Sequence, residues 1–147
     1  MGSEFAGKGV NIALGPDMNI VRTPAGMLIK GGKVRSCTDS HFTRAGRNWE
    51  TFGADPYLSG ESAYETIIGM QQSGVQACAK HWINNEQEYA RTQSTSQVDD
   101  RTEHEVYAYP FLRSVMAGVT AVMCSYSEWF IGNGVGRNVL TGTRFNK

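Results

Sequence analysis

The stretch 59-SGESAYETIIGMQQSGVQACAKHWI-83 decides how this chain folds. Its first half places Ala63, Ile67 and Met70 at helical spacing, and Tyr64 and Ile68 widen the same face. That spacing predicts a helix over residues 61–72, opened at Ser59 or Gly60 and closed by Ser73-Gly74. The second half, residues 75–83, is an apolar run without clean alternation. Such runs belong to strands covered on both faces, as in parallel sheets flanked by helices.

The same unit recurs on either side. Residues 10–14 (VNIAL) form a short apolar run stopped by Gly15-Pro16, read as a buried strand ending in a turn. Residues 84–100 are polar and read as a long loop. Residues 102–117 predict a second helix, with Val106, Tyr109, Leu112 and Met116 on one face. Pro110 is expected to kink or restart it, and Gly118 to cap it. Residues 119–126 (VTAVMCSY) are a third strand. Strand, helix, strand, helix, strand is the order of an α/β fold with parallel strands.

Composition sets the outer bounds. The 147 residues are enough for one domain with a core, and 40% are hydrophobic, which is not a disordered composition. Fourteen basic residues balance fourteen acidic ones, so charge gives no reason to expect a nucleic acid or an anionic membrane as partner. No apolar run approaches the roughly 18–20 residues of a membrane span. MGSEF at the start reads as a cloning scar, and no signal peptide is visible. Cys37, Cys78 and Cys124 are an odd number without a CxxC pair, which speaks against a disulfide framework.

Polar residues gather just past the strand ends: Gly15-Pro16-Asp17, then Lys80-His81, then Ser125-Tyr126. In parallel α/β folds ligands bind at that edge. Lys80 and His81 are neighbours, and neighbours on a regular strand point to opposite faces. For both to reach one ligand, the strand end must be irregular. Together they can donate hydrogen bonds to sugar hydroxyls or to an oxyanion. On spacing alone the plainer reading, a surface Lys beside a His that caps a carbonyl, stands first. Arg47 in GRNWE either clamps a ligand or pairs with Glu50, and the pattern favours the pair. Tyr126 either contacts a ligand or ends a strand in the core. Glu86 and Glu88 offer carboxylates near Lys80, with loop ion pairs as the plainer role. Cys78, His81 and Cys124 match no zinc spacing, so no metal is expected, and no motif calls for a cofactor.

Six motifs in fixed order then carry a family likeness: KGVNIALGP, RTPAG, GRNWETFGADPYLSG, ACAKHWINNEQE, VDDRTEHEVYAYPF and AGVTAVMCSY. Together they resemble the N-terminal barrel domain of family 3 glycoside hydrolases, the β-glucosidase group, and above all its fungal type. The likeness runs over residues 8–26 and 46–126 within a fragment of that domain spanning 6–126. It implies a partial, incomplete (β/α)8 TIM-type barrel in which parallel strands alternate with helices. It also implies retaining hydrolysis of terminal β-D-glucosyl residues from small β-glucosides or cello-oligosaccharides. Arg47, Lys80, His81 and Tyr126 match positions that bind the non-reducing glucose, and Met123 would line the same pocket. Members of the family are often secreted. The family's nucleophile lies in a later motif resembling SDW, and its acid/base in a further domain. Neither follows Tyr126 here, so no catalytic residue is assigned, and the competing expectation is an inactive polypeptide that binds sugar weakly. Three strands of a barrel also leave open sheet edges, which predicts self-association.

The motif RTPAG–GRNWETF is interrupted. Joining Gly26 to Gly46 restores it, and the 19 residues 27–45 between them show no likeness. Codon degeneracy allows a donor-like GTATG at Gly26-Met27, a CTGAC branch site at Thr38-Asp39 and a CAG acceptor at Ala45-Gly46. Residues 127–147 allow similar signals and also show no likeness. Both stretches are therefore expected to be translated introns, an ordinary surface insertion being the alternative.

Overall fold

The computed structural model describes residues 1–21, 47–88, 91 and 96–126, and the backbone alone at 29–30, 33–34, 95 and 128–131. In chain order the elements are α1 (Gly2–Gly7), β1 (Ile12–Ala13), β2 (Ile29–Lys30), β3 (Lys33–Val34), a 3₁₀ turn at Asn48–Glu50, α2 (Pro56–Gln72) and β4 (Gln76–Trp82). There follow β5 (Thr95–Val98), α3 (Asp100–Thr102), a π turn at Glu103–Tyr107, α4 (Tyr109–Met116), β6 (Ala121–Cys124) and β7 (Glu128–Ile131).

The main sheet is parallel, in the order β1-β4-β6. Its strands are joined through α2 and α4, as the strand–helix alternation predicts. β4 is buried along nearly its whole length because it is the central strand. Ala63, Ile67 and Met70 of α2 pack with the sheet and its flanks in two clusters, one around Val75 and Ala77, the other around Ala79, Ile83 and Phe111. Burying a side chain such as Ile67 or Met70 stabilises the fold by about 1.5–3 kcal/mol each.

Several expectations are corrected. α2 begins at Pro56, several residues before the expected start, because Asp55 caps it: its carboxylate accepts from Leu58 N–H at 2.7 Å, and Pro56 occupies the first turn. The second helix is not continuous. The π turn interrupts it and α4 restarts around Pro110. The extra residue of a π turn rotates the helix face. Pro110, Phe111 and Ser114 are therefore buried, while Leu112 and Met116, assigned to the core face, are exposed. The polar stretch 84–100 contains a strand, β5, which pairs in parallel with β7 within the tail. The outer strands are not covered on both faces: Val10, Ile12 and Leu14 beside β1 and Val122 on β6 are exposed, because each strand borders one open edge of the main sheet. The first five residues, set aside as a scar, fall largely within α1, and Phe5 packs against the core around Ala13 and Met70. Cys37 and most of 27–45 lie outside the described residues; within that stretch β2 and β3 pair antiparallel. Among the described residues, no helix is long and apolar enough to cross a membrane.

Candidate functional site

The strand ends meet where β4 loses its regularity. Lys80 pairs with Met123 and Trp82 with Cys124, so β4 places one more residue than β6 between those two pairs, and that residue is His81. The Lys80-His81 peptide is cis. The extra residue on β4 is the irregular strand end that the sequence reading asked for if two neighbours were to serve one site. Lys80 and His81 are buried, at 6% and 5% exposure.

They reach the two members of one ion pair, Lys80 the carboxylate and His81 the guanidinium. Arg47 holds Glu50 through two parallel bonds, Nε to Oε1 at 2.7 Å and Nη2 to Oε2 at 3.0 Å. Lys80 Nζ donates to the same Oε2 at 2.6 Å. Arg47 Nη1 lies 3.0 Å from His81 Nε2. The Arg47–Glu50 pair is thus real, as the pattern favoured, and it does not displace Arg47 from the site. The Arg47 bond, backed by Lys80, holds the Glu50 carboxyl down at about 2, against an ordinary 4.5. Arg47 is raised in turn, chiefly by its bond to Glu50.

The hydrogen-bond pattern assigns the His81 tautomer. A guanidinium only donates, so Nε2 must accept from Arg47 and the ring proton sits on Nδ1. Nδ1 faces Asp17 Oδ2 at 3.3 Å and Asn19 Oδ1 at 3.4 Å. Asn19 also brackets the His81 backbone: its Oδ1 accepts from His81 N–H at 2.9 Å, and its Nδ2 donates to His81 C=O at 3.1 Å. Asp17 in turn accepts from Asn19 N–H at 3.0 Å, a local turn that sets both side chains.

A second arc lies on the loop after β4. Glu88 pairs with Arg47 at 3.6 Å and with Arg91 at 2.7 Å, and Arg91 stacks over the Tyr126 ring at 4.8 Å. Tyr126 is therefore linked to the cluster through Arg91 and Glu88, and it is not a core tyrosine, being exposed. Glu86 is buried and accepts weakly from Asn19 Nδ2 at 3.4 Å. Met123 is half-buried, opposite Lys80 in register. Asn19 and Arg91 escaped the sequence reading. Asn19 had one legible signal, its position two residues past Asp17 in a strand-end turn; Arg91 had one too, Glu88 three residues before it, while its stack on Tyr126 had none.

Cys78 is a buried free thiol, pushed up by that burial, and Cys124 is half-buried and free. Among the described residues no group of three His, Cys, Asp or Glu side chains is placed to hold a metal.

A buried lysine, a half-buried arginine, a histidine and carboxylates thus gather at the C-terminal ends of parallel strands, the edge at which barrel-type α/β proteins bind their ligands. The family model described as the glycosyl hydrolase family 3 N-terminal domain matches residues 39–132. The chain is 53% identical over 128 residues to a protein named probable beta-glucosidase L from Aspergillus terreus, and 44% identical over 143 residues to probable beta-glucosidase G from Aspergillus oryzae. Each alignment covers 87% of this chain and 15% of the relative. The beta-D-glucoside glucohydrolase of Trichoderma reesei superposes with a TM-score of 0.71 at 43% identity, over 87% of this chain and 16% of that one. Beta-glucosidase 3B of Thermotoga neapolitana, solved with α-D-glucose, does so with 0.72 at 34% identity, over 92% and 16%. The chain belongs to glycosyl hydrolase family 3, a family of glycoside hydrolases, and its strands are part of that family's N-terminal barrel.

Proposed function

We propose that this chain forms one wall of the glucose-binding site of a retaining β-glucosidase. Arg47, Lys80, His81, Met123 and Tyr126 surround the non-reducing glucosyl unit of a small β-glucoside or cello-oligosaccharide. The observation that carries this is the convergence of Arg47, Lys80 and His81 on one spot at the strand ends. A sugar presents several hydroxyls close together, and Arg47 and Lys80 supply fixed donors for them while His81 is locked beside them. Glu50 and Asp17 hold the donors rigid, so little ordering remains to be done on binding. Retaining hydrolysis needs two carboxylates about 5 Å apart flanking the glycosidic bond. Glu50 is tied to Arg47 and Lys80, and Glu88 to Arg47 and Arg91, so neither is placed as nucleophile or acid. The attacking and protonating carboxylates belong to parts of the enzyme beyond these strands.

The chain by itself then binds glucose weakly and turns over nothing. Titration with glucose monitored by NMR should show saturable shifts at the Arg47 Nε–H that vanish in His81→Ala. Release of nitrophenol from an aryl β-glucoside, abolished by the same substitution, would overturn the assignment of the carboxylates to other segments. The chain is also proposed to self-associate through its open sheet edges, and residues 27–45 and 127–147 to be translated introns. Sequencing the mature transcript tests the latter: a message that retains the codons of 27–45 sinks the intron reading of that stretch, and one that retains those of 127–147 sinks it for the tail.

A further inference from the structure

The loop that follows His81 carries Glu86 and Glu88 into the site, and its geometry is set from outside the site. Asn84 opens that loop in the left-handed region, with φ 64°, where residues other than glycine are uncommon. Its side chain is buried, at 4% exposure, and Nδ2 donates to Glu103 Oε2 at 2.8 Å. Its carbonyl accepts from Ser96 Oγ at 3.0 Å. Glu103 is itself 4% exposed and stands in the π turn before α4. From Asn84 the loop runs on through Asn85, whose Nδ2 donates to Glu88 Oε1 at 3.2 Å, the same oxygen that lies 3.6 Å from Arg47.

We propose that Glu103 is a positioning residue: through Asn84 it holds the 84–88 loop so that Glu86 meets Asn19 and Glu88 meets Arg47. A bond to the buried Asn84 is consistent with a carboxyl kept in a costly place, since burial pushes Glu103 up from the ordinary carboxylate range. A buried acid without a task is expected to be replaced by an apolar side chain at little cost. Glu103 makes no contact with sugar in this scheme; it acts through two intervening residues.

The test separates positioning from stability. Glu103→Met keeps bulk and removes the acceptor; Glu103→Gln keeps an oxygen for Asn84. In the full chain, with circular dichroism confirming the fold, the Arg47 Nε–H and His81 ring resonances should move in Glu103→Met and return to wild-type positions in Glu103→Gln. Asn84→Gly, which suits the left-handed backbone and removes Nδ2, should move the same signals. It serves as the deciding variant where Glu103→Met fails to fold. Folded Glu103→Met or Asn84→Gly with unmoved signals overturns the proposal. The glucose readout rests on the sugar-binding reading: where wild type binds, both variants should bind about tenfold more weakly. A wild type that does not bind glucose defeats that reading alone, since the resonances decide the positioning role without sugar.

Discussion

Glu50 is the keystone of the site, and Glu50→Gln tests it most directly. The substitution keeps the shape and removes the charge that Lys80 Nζ meets at 2.6 Å and Arg47 at 2.7 Å. The Lys80 and Glu50 side chains are only 7% and 14% exposed, so solvent screens this pair far less than a surface one. Moving the carboxyl from 4.5 to about 2 corresponds to about 3 kcal/mol of stabilisation. The sign follows from the direction of the shift. A folded-state pKa held below the unfolded one gives stability that is complete above pH 4.5 and fades as pH falls toward 2. Glu50→Gln should therefore cost about 3 kcal/mol at pH 7, and by pH 3 more than half of that difference should be gone. Urea unfolding of wild type and variant at both pH values, followed by circular dichroism, measures it. A cost below about 0.5 kcal/mol at pH 7, the level of an ordinary surface change, or an equal cost at both pH values, refutes the reasoning.

The other predictions are smaller in scope. Asn19→Ala leaves the His81 backbone without either of its side-chain partners and should cost about 2–3 kcal/mol in urea unfolding. Its ¹⁵N spectrum should still show a single His81 tautomer, because Arg47 and Asp17 remain in place. Gly60 faces α4, where an added Cβ would lie 2.7 Å from the Tyr109 ring and 3.0 Å from Arg113 Cγ. Gly60→Leu should thus force α2 and α4 apart and lower stability by about 2 kcal/mol or more, despite its better helix propensity. Arg91→Ala removes both the Tyr126 stack and the Glu88 pair, and should lower stability by no more than about 1 kcal/mol while freeing the Tyr126 ring, visible in its NMR line shape. Val115→Glu acts on an exposed apolar cleft of about 620 Å³ lined by Trp82, Leu112 and Val122. It should leave stability within about 0.5 kcal/mol and lower the sedimentation mass of a self-associating sample.

What could be read from the residues was the local and periodic part. The run of Ala63, Ile67 and Met70 marked the buried face of α2 because helical geometry repeats over short distances, and the mostly apolar run of residues 75–83 marked β4 as a strand covered on both faces. Arg47 and Glu50 are three residues apart, so their pairing was within reach too. Asp55-Pro56 was a legible helix start that the apolar spacing overshadowed.

The rest depended on neighbours far along the chain. α4 turned Phe111 inward rather than Leu112 because the π turn shifted its phase, and nothing in the hydrophobic spacing records such a shift. β5 forms only because β7, about thirty residues on, lies beside it. His81 acquires its tautomer from Arg47 on one side and from Asp17 and Asn19 on the other, groups separated from it by 34 to 64 positions. Side-chain type and spacing thus specified the strand–helix units and marked Arg47, Lys80 and His81 as candidates, for which only the family resemblance favoured a ligand role. Which carboxylates Lys80 and His81 meet, and which ring nitrogen carries the proton, follows from packing alone, because hydrogen bonds act over about 3 Å and are indifferent to distance along the chain.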